Sequence, residues 1–134
     1  MELHNNISAV RVISPISQAG NTAMVGAIMD MQGFSAAEFL ITLGTITTAG
    51  TTYTALLEEG AVANLSDAAA VADADLLGTE ALASFVDSEV NTTKKLGYKG
   101  NKRYIRLTMT PAGNTGASTM SAVCVKACPS IAPV

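Results

Sequence analysis

Hydrophobic and polar residues alternate with a period of two along much of this chain, the signature of half-buried β-strands. The clearest case is KRYIRLTMT (102–110). It sets Arg103, Ile105, Leu107 and Met109 on one parity, and Lys102, Tyr104, Arg106, Thr108 and Thr110 on the other. AVRVI (9–13) alternates around Arg11 and stops at Ser14-Pro15, while EFLITLGTI (38–46) is rich in β-branched and aromatic residues and ends at Ala49-Gly50. Thr22–Asp30, TYTALL (52–57), Ala83–Val86, Val90–Tyr98 and STMSAVCVKA (118–127) complete the set, each bounded by Gly, Pro, Asn or Asp turn signals. One stretch departs from the pattern. Asn64-Leu65-Ser66-Asp67 followed by AAAVA predicts a short helix over about Ser66–Ala72, capped by Ser66 or Asp67.

Eight or nine short strands and one short helix predict an all-β fold, a single antiparallel β-sandwich or jelly-roll-like barrel. At 134 residues the chain is expected to form one domain over 1–134, with 1–7 and 129–134 as extended terminal arms. Hydrophobic residues make up 49% and charged residues 14%, the reverse of a disordered composition. With no tryptophan and only three Tyr and three Phe, the surface is left to small, weakly polar side chains. No apolar run reaches the roughly 20 residues of a membrane span, and the opening MELHNNISAVRVISP lacks the basic and apolar regions of a secretion signal. The protein is therefore expected to work in the cytoplasm or in something assembled there.

Charge is segregated along the sequence. From Glu58 to Glu89 there are acidic residues and no basic one, while six of the eight basic residues lie in 94–106. Three functions compete for the basic segment. Nucleic-acid binding calls for an overall excess of Lys and Arg with aromatics for stacking, whereas the net charge is −3 and only Tyr98 and Tyr104 are nearby. A phosphate loop calls for different glycine spacing and a following helix. The segment is expected instead to be a β-hairpin with Lys99-Gly100-Asn101 at its tip and Gly100 at positive φ. Its lysines would then keep a solvated edge soluble, or its cations would serve as a docking edge for a protein partner, through Lys99, Lys102, Arg103, Tyr104 and Arg106, with Arg106 in a buried pairing role.

Other chemistry finds little purchase. Asp67, Asp73 and Asp75 match a calcium loop only in DAD, and read as a solvated acidic face. Cys124 and Cys128, four residues apart on a strand, would stand about 13 Å apart, beyond the roughly 7 Å reach of a disulfide. Two thiols also fall short of the four ligands of structural zinc. Free thiols are expected, with no cofactor and no metal. His4 is the only histidine, and no nucleophile can be matched to a base, so no enzymatic activity is expected.

Four stretches, ELHNNISAVRVISP, FLITLGTI, LLEEG followed by DADLLGT, and LGYKGNKRYIRLTMTPAG, resemble a family of small tailed-bacteriophage virion proteins encoded among head genes. The resemblance runs from about Leu3 to Ala127, and GYKGNKRYIRL is its most specific part. Family members often end in a glycine- and proline-containing tail, where this chain has VCVKACPSIAP. The resemblance implies a virion protein, with the major capsid protein, other virion proteins or further copies of the chain as partners. A head decoration or cement protein is the role it implies first, with a head–tail connector or tail component as the alternative. A β-sandwich carbohydrate- or receptor-binding module is a further alternative, disfavoured by the shortage of aromatics.

Overall fold

The computed structural model describes residues 2–134. Two antiparallel sheets pack face to face as a β-sandwich. The first sheet is built on three long strands, β1 (Ile7–Gln18), β4 (Phe34–Ile46) and β11 (Ser118–Pro129). β11 lies between the other two, and β4 continues the sheet through β9 (Thr92–Tyr98) to the short β7 (Leu76–Leu77). The second sheet is centred on β5 (Thr52–Gly60) and β10 (Tyr104–Ala112). Four two-residue strands extend it: β2 (Met24–Val25) and β3 (Met29–Asp30) on β10, β6 (Ala69–Ala70) and β8 (Phe85–Val86) on β5.

The period-two pattern decides which side chains meet between the sheets. Phe39, Ile41 and Leu43 of β4 turn inward with Leu96, Tyr98, Met120, Ala122 and Cys124. Tyr53, Ala55 and Leu57 of β5 and Ile105, Leu107 and Met109 of β10 meet them from the second sheet. Removing a side chain such as Phe39 or Leu107, both fully buried, costs about 2–5 kcal/mol in a packed core of this kind.

Three local expectations fail, each for a physical reason. Ser66–Ala72 is not helical. Asp67 spends both carboxylate oxygens upstream, accepting from Ala61 N and Val62 N at 2.7 and 3.2 Å, and Ala69–Ala70 is extended against Glu58–Glu59. The α-helix, α1, is instead the single turn Glu80–Ala83, with Thr79 as its N-cap accepting from Leu82 N at 3.1 Å. Its last residue is Ala83, which is thereby taken out of the strand expected over Ala83–Val86.

Thr22–Asp30 is not one strand either. At Gly26-Ala27 the chain leaves the β10 ladder and bridges the sheets, with Gly26 N donating to Leu107 O and Ala27 N to Val12 O. A Cβ at Gly26 would sit 2.5 Å from Leu107 O, so glycine is required for that approach. Finally, 94–106 is not a hairpin. β9 pairs with β4 in the first sheet and β10 with β5 in the second, so Lys99–Arg103 crosses from sheet to sheet. Gly100 is not at positive φ. A Cβ there would lie 2.5–2.6 Å from the Tyr98 ring, and the glycine is what lets the crossover fold down over that ring.

The Tyr98 hydroxyl, buried beneath the crossover, donates to Glu59 Oε2 at 2.6 Å and accepts from Lys102 N at 3.0 Å. It thereby ties the two sheets together. Burial, reinforced by the Glu59 carboxylate, pushes the phenol well above its ordinary range. Burial likewise pushes the Cys124 thiol up to about 12. Cys128 is exposed, and both thiols are free.

A raised pKa in the native state means the unfolded chain releases its proton first as pH rises, so stability falls with pH above the unfolded value. The decline should begin near the ordinary thiol value of about 8.5 with Cys124 and steepen above about 10 with Tyr98. Urea unfolding across this range should show Tyr98→Phe less stable at neutral pH by about 1–2 kcal/mol, from the two lost hydrogen bonds, but with a shallower decline above pH 10. An unchanged alkaline slope in that variant would contradict the buried-phenol assignment.

Candidate protein-docking site

The acidic and basic segments, far apart in sequence, are neighbours in the second sheet. β5 ends in Leu57-Glu58-Glu59-Gly60, and β10 begins Tyr104-Ile105-Arg106. Their antiparallel register sets Glu58 directly opposite Arg106. The Arg106 guanidinium donates from Nη2 and Nε to Glu58 Oε2 at 2.8 and 3.2 Å, with both side chains about one-fifth exposed. Such a pair contributes on the order of 1 kcal/mol and strongly disfavours a slipped register.

Other members of both segments are also occupied within the chain. Lys94 Nζ donates to Glu89 at 2.8 Å, binds the Ser84 carbonyl and lies over the Phe85 ring. That ammonium and the Val86 amide hold the Glu89 carboxyl below the usual carboxylate range. Arg103 forms a two-pronged contact with Asp30 at 2.9 and 3.0 Å and donates to Gln32 at 2.6 Å. The guanidinium lowers the Asp30 pKa, and Asp30 raises that of Arg103. Among the acids, Glu59 accepts from Tyr98, Asp67 from Ala61 and Val62, Glu80 from Leu57 N at 2.6 Å, and Asp87 from Gly50 N at 2.8 Å. Those amide bonds hold Asp67 below its ordinary pKa. Asp73 and Asp75 sit in a single 3-10 turn, and among the described residues no group of His, Cys, Asp and Glu converges as a metal site would require.

The structure thus divides the five residues singled out in the sequence. Arg106 is committed to Glu58 and Arg103 to Asp30, with Arg103 also stacked 5.1 Å from the Tyr104 ring centroid. Lys99 and Lys102 have no side-chain hydrogen bond or ion pair among the described residues. Both lie on the crossover and line a groove of about 500 Å³ with Met31, Gln32, Phe34 and Arg103. The groove therefore has apolar walls from Met31 and Phe34, a guanidinium held in place by Asp30, and two ammonium groups free to meet an incoming anion. Met31, Gln32 and Phe34 escaped sequence reasoning, because only the β3–β4 connection packing beside the crossover makes them part of the groove.

No protein-family model matches the chain, and no curated protein sequence does. Solved structures similar to it include the SPBc2 prophage-derived protein YomS, at 10% identity over 90% of this chain and 93% of that one, with a TM-score of 0.44. The infectious bursal disease virus VP2 subviral particle is similar at 12% identity and a TM-score of 0.49, over 92% of this chain. The match spans about a third (32%) of the VP2 chain. The xylan-binding module CBM15 is similar at 9% identity over 98% of this chain and 96% of that one, with a TM-score of 0.48. A phage protein, a viral capsid protein and a carbohydrate-binding module thus stand at the same distance from this sandwich, and none of these likenesses carries a functional assignment.

Proposed function

We propose that the protein is a non-enzymatic structural component of a tailed-phage particle, acting as a head decoration or cement protein. In this reading it binds the assembled shell through the crossover groove. One observation carries the docking assignment: Lys99 and Lys102 lie unpaired, among the described residues, on the same groove as Met31 and Phe34, where Arg103 is already fixed by Asp30. Two unpaired ammonium groups lining one groove with Met31 and Phe34 suit a protein segment that offers carboxylates next to an apolar side chain, with Arg103 at the rim and Tyr104 beneath that guanidinium. Sequence resemblance across GYKGNKRYIRL supplies the particle context, and that segment is the one that builds the crossover. Attachment to a site completed only in the assembled lattice would stabilise the particle by linkage.

The sugar-binding alternative has less to work with. The outer face of the second sheet carries Tyr104 as its one aromatic on β5 and β10, and Arg103 lies over that ring. A platform for sugar rings would need the face free.

The test is co-sedimentation of purified protein with virions stripped of it, comparing wild type with Lys99→Glu/Lys102→Glu. The account expects the double variant to bind at least about tenfold more weakly, with an unchanged circular dichroism spectrum, and the wild-type complex to loosen as salt is raised. Undiminished binding by the variant, or tight binding of the wild type to DNA in a gel shift, would overturn the assignment.

A further inference from the structure

The crossover leaves a gap in the first sheet. β11 flanks β4 from Ile46 to Phe34, but β9 pairs with it only from Leu43 to Ala37, where Tyr98 is the last partner. Beyond Tyr98 the chain departs for the second sheet. Phe34, Ser35 and Ala36 therefore have a strand on one side and none on the other. Backbone groups of successive strand residues point alternately to the two sides. Phe34 N is used locally, donating to Met31 O at 2.9 Å, and the Ser35 hydroxyl turns to Cys128 O on the β11 side. Either Ser35 or Ala36 then presents both its N–H and its C=O to the open side, where no turn among the described residues takes them up.

The groove beside Lys99 and Lys102 is this gap. Phe34 and Ser35 line it from β4, and Lys99 and Lys102 line it from the crossover. Three residues of strand, about 10 Å long, about 4.8 Å wide and about 10 Å deep with their side chains, fill about 480 Å³. The groove holds about 500 Å³. Its free charge has one sign, since Arg103 is balanced by Asp30 while Lys99 and Lys102 have no carboxylate among the described residues. The long outer edge of β1 offers no equivalent. Register shifts between Arg11 and Ile16, with Pro15 among them, interrupt it as protected edges are interrupted.

We infer that the occupant of the groove is an extended acidic segment of a partner protein, which adds to β4 at Phe34–Ala36 in the place that β9 gives up. The inference rests on the groove being the docking site and names what binds there. Three features select this occupant together. An open strand edge recognises polypeptide through main-chain hydrogen bonds, which a nucleic-acid strand does not supply. Two ammonium groups without partners select carboxylates over a neutral or cationic segment. Met31 and Phe34 select an apolar side chain, and the period of two in a strand turns neighbouring residues to different walls.

The test uses the full chain and a fluorescein-labelled peptide of about five residues, alternating aspartate and valine, read by fluorescence anisotropy and amide hydrogen exchange. The peptide should bind with Kd below about 1 mM. Methylating one of the two alternate sets of its backbone nitrogens should weaken binding at least tenfold, and the Ser35 or Ala36 amide should exchange at least tenfold more slowly in the complex. Lys99→Glu/Lys102→Glu should lose the peptide as it loses the particle. Absence of binding at about 1 mM, or equal binding by both N-methylated peptides, would overturn strand addition while leaving particle attachment to be judged by co-sedimentation. Undiminished peptide binding by Lys99→Glu/Lys102→Glu would overturn the selection by charge. Displacement of the peptide by oligothymidylate would assign the groove to nucleic acid and overturn both readings.

Discussion

The nine-residue ladder between β5 and β10 is the constraint on which the rest of this molecule depends. Its register, from Gly60 opposite Tyr104 to Thr52 opposite Ala112, places Tyr53, Ala55 and Leu57 beside Met109 and Leu107 in the core. The same register brings Glu58 opposite Arg106 on the outside. A slip of one residue would turn Leu57 outward and bring Glu58 into the core, so burial and charge enforce one alignment. The short strands β2, β3, β6 and β8 use the two outer edges of this pair as their templates.

From that ladder the fate of the charges follows. A chain that looks divided into an acidic half and a basic segment is neutralised locally once folded, through Arg106–Glu58, Lys94–Glu89 and Arg103–Asp30. Carboxylates left over accept from backbone amides in and beside β5, Asp87 from Gly50, Glu80 from Leu57 and Asp67 from Ala61. The cations left over fall in two places with different company. Lys99 and Lys102 border a groove with Met31 and Phe34 in its walls, while Lys95 lies beside Glu38 and Leu77 on the outward face of the first sheet and Arg11 at the far side of that face.

Much of this was legible in the sequence, and the limits have identifiable causes. Strands β4, β10 and β11 are long enough for alternation to show which side chains are inward, and the parity of Ile105, Leu107 and Met109 is the one observed. That Cys124 and Cys128 remain free thiols followed from strand geometry alone. Two-residue strands carry no period, so β6 and β7 gave no signal, β2 and β3 read as one strand over Thr22–Asp30, β8 was legible only as the end of Ala83–Val86, and the alanine run 68–70 drew a helix that β5 overrides. Thr79 followed by Glu80-Ala81-Leu82-Ala83 did hold a cap and good helix formers, a readable signal for α1. The site was legible only in part. Lys99, Lys102, Arg103, Tyr104 and Arg106 stand out by local charge density, but which are spoken for depends on partners 48 and 73 residues away. Likewise a hairpin and a crossover share the same turn residues, and only the sheet membership of the flanking strands separates them.

The most direct test of this account is chemical footprinting of the dilute folded chain, with an amine reagent for lysines and a dicarbonyl reagent for arginines, read residue by residue by mass spectrometry. The account predicts that Lys99 and Lys102 label as fast as a free lysine, while Lys94 and Arg106 are protected until the chain unfolds. It further predicts that Glu58→Ala exposes Arg106 to reagent without unfolding the protein. Equal labelling of Lys94 and Lys99, or an Arg106 as reactive in the wild type as in Glu58→Ala, would show that the basic segment is not neutralised within the fold and would contradict the account.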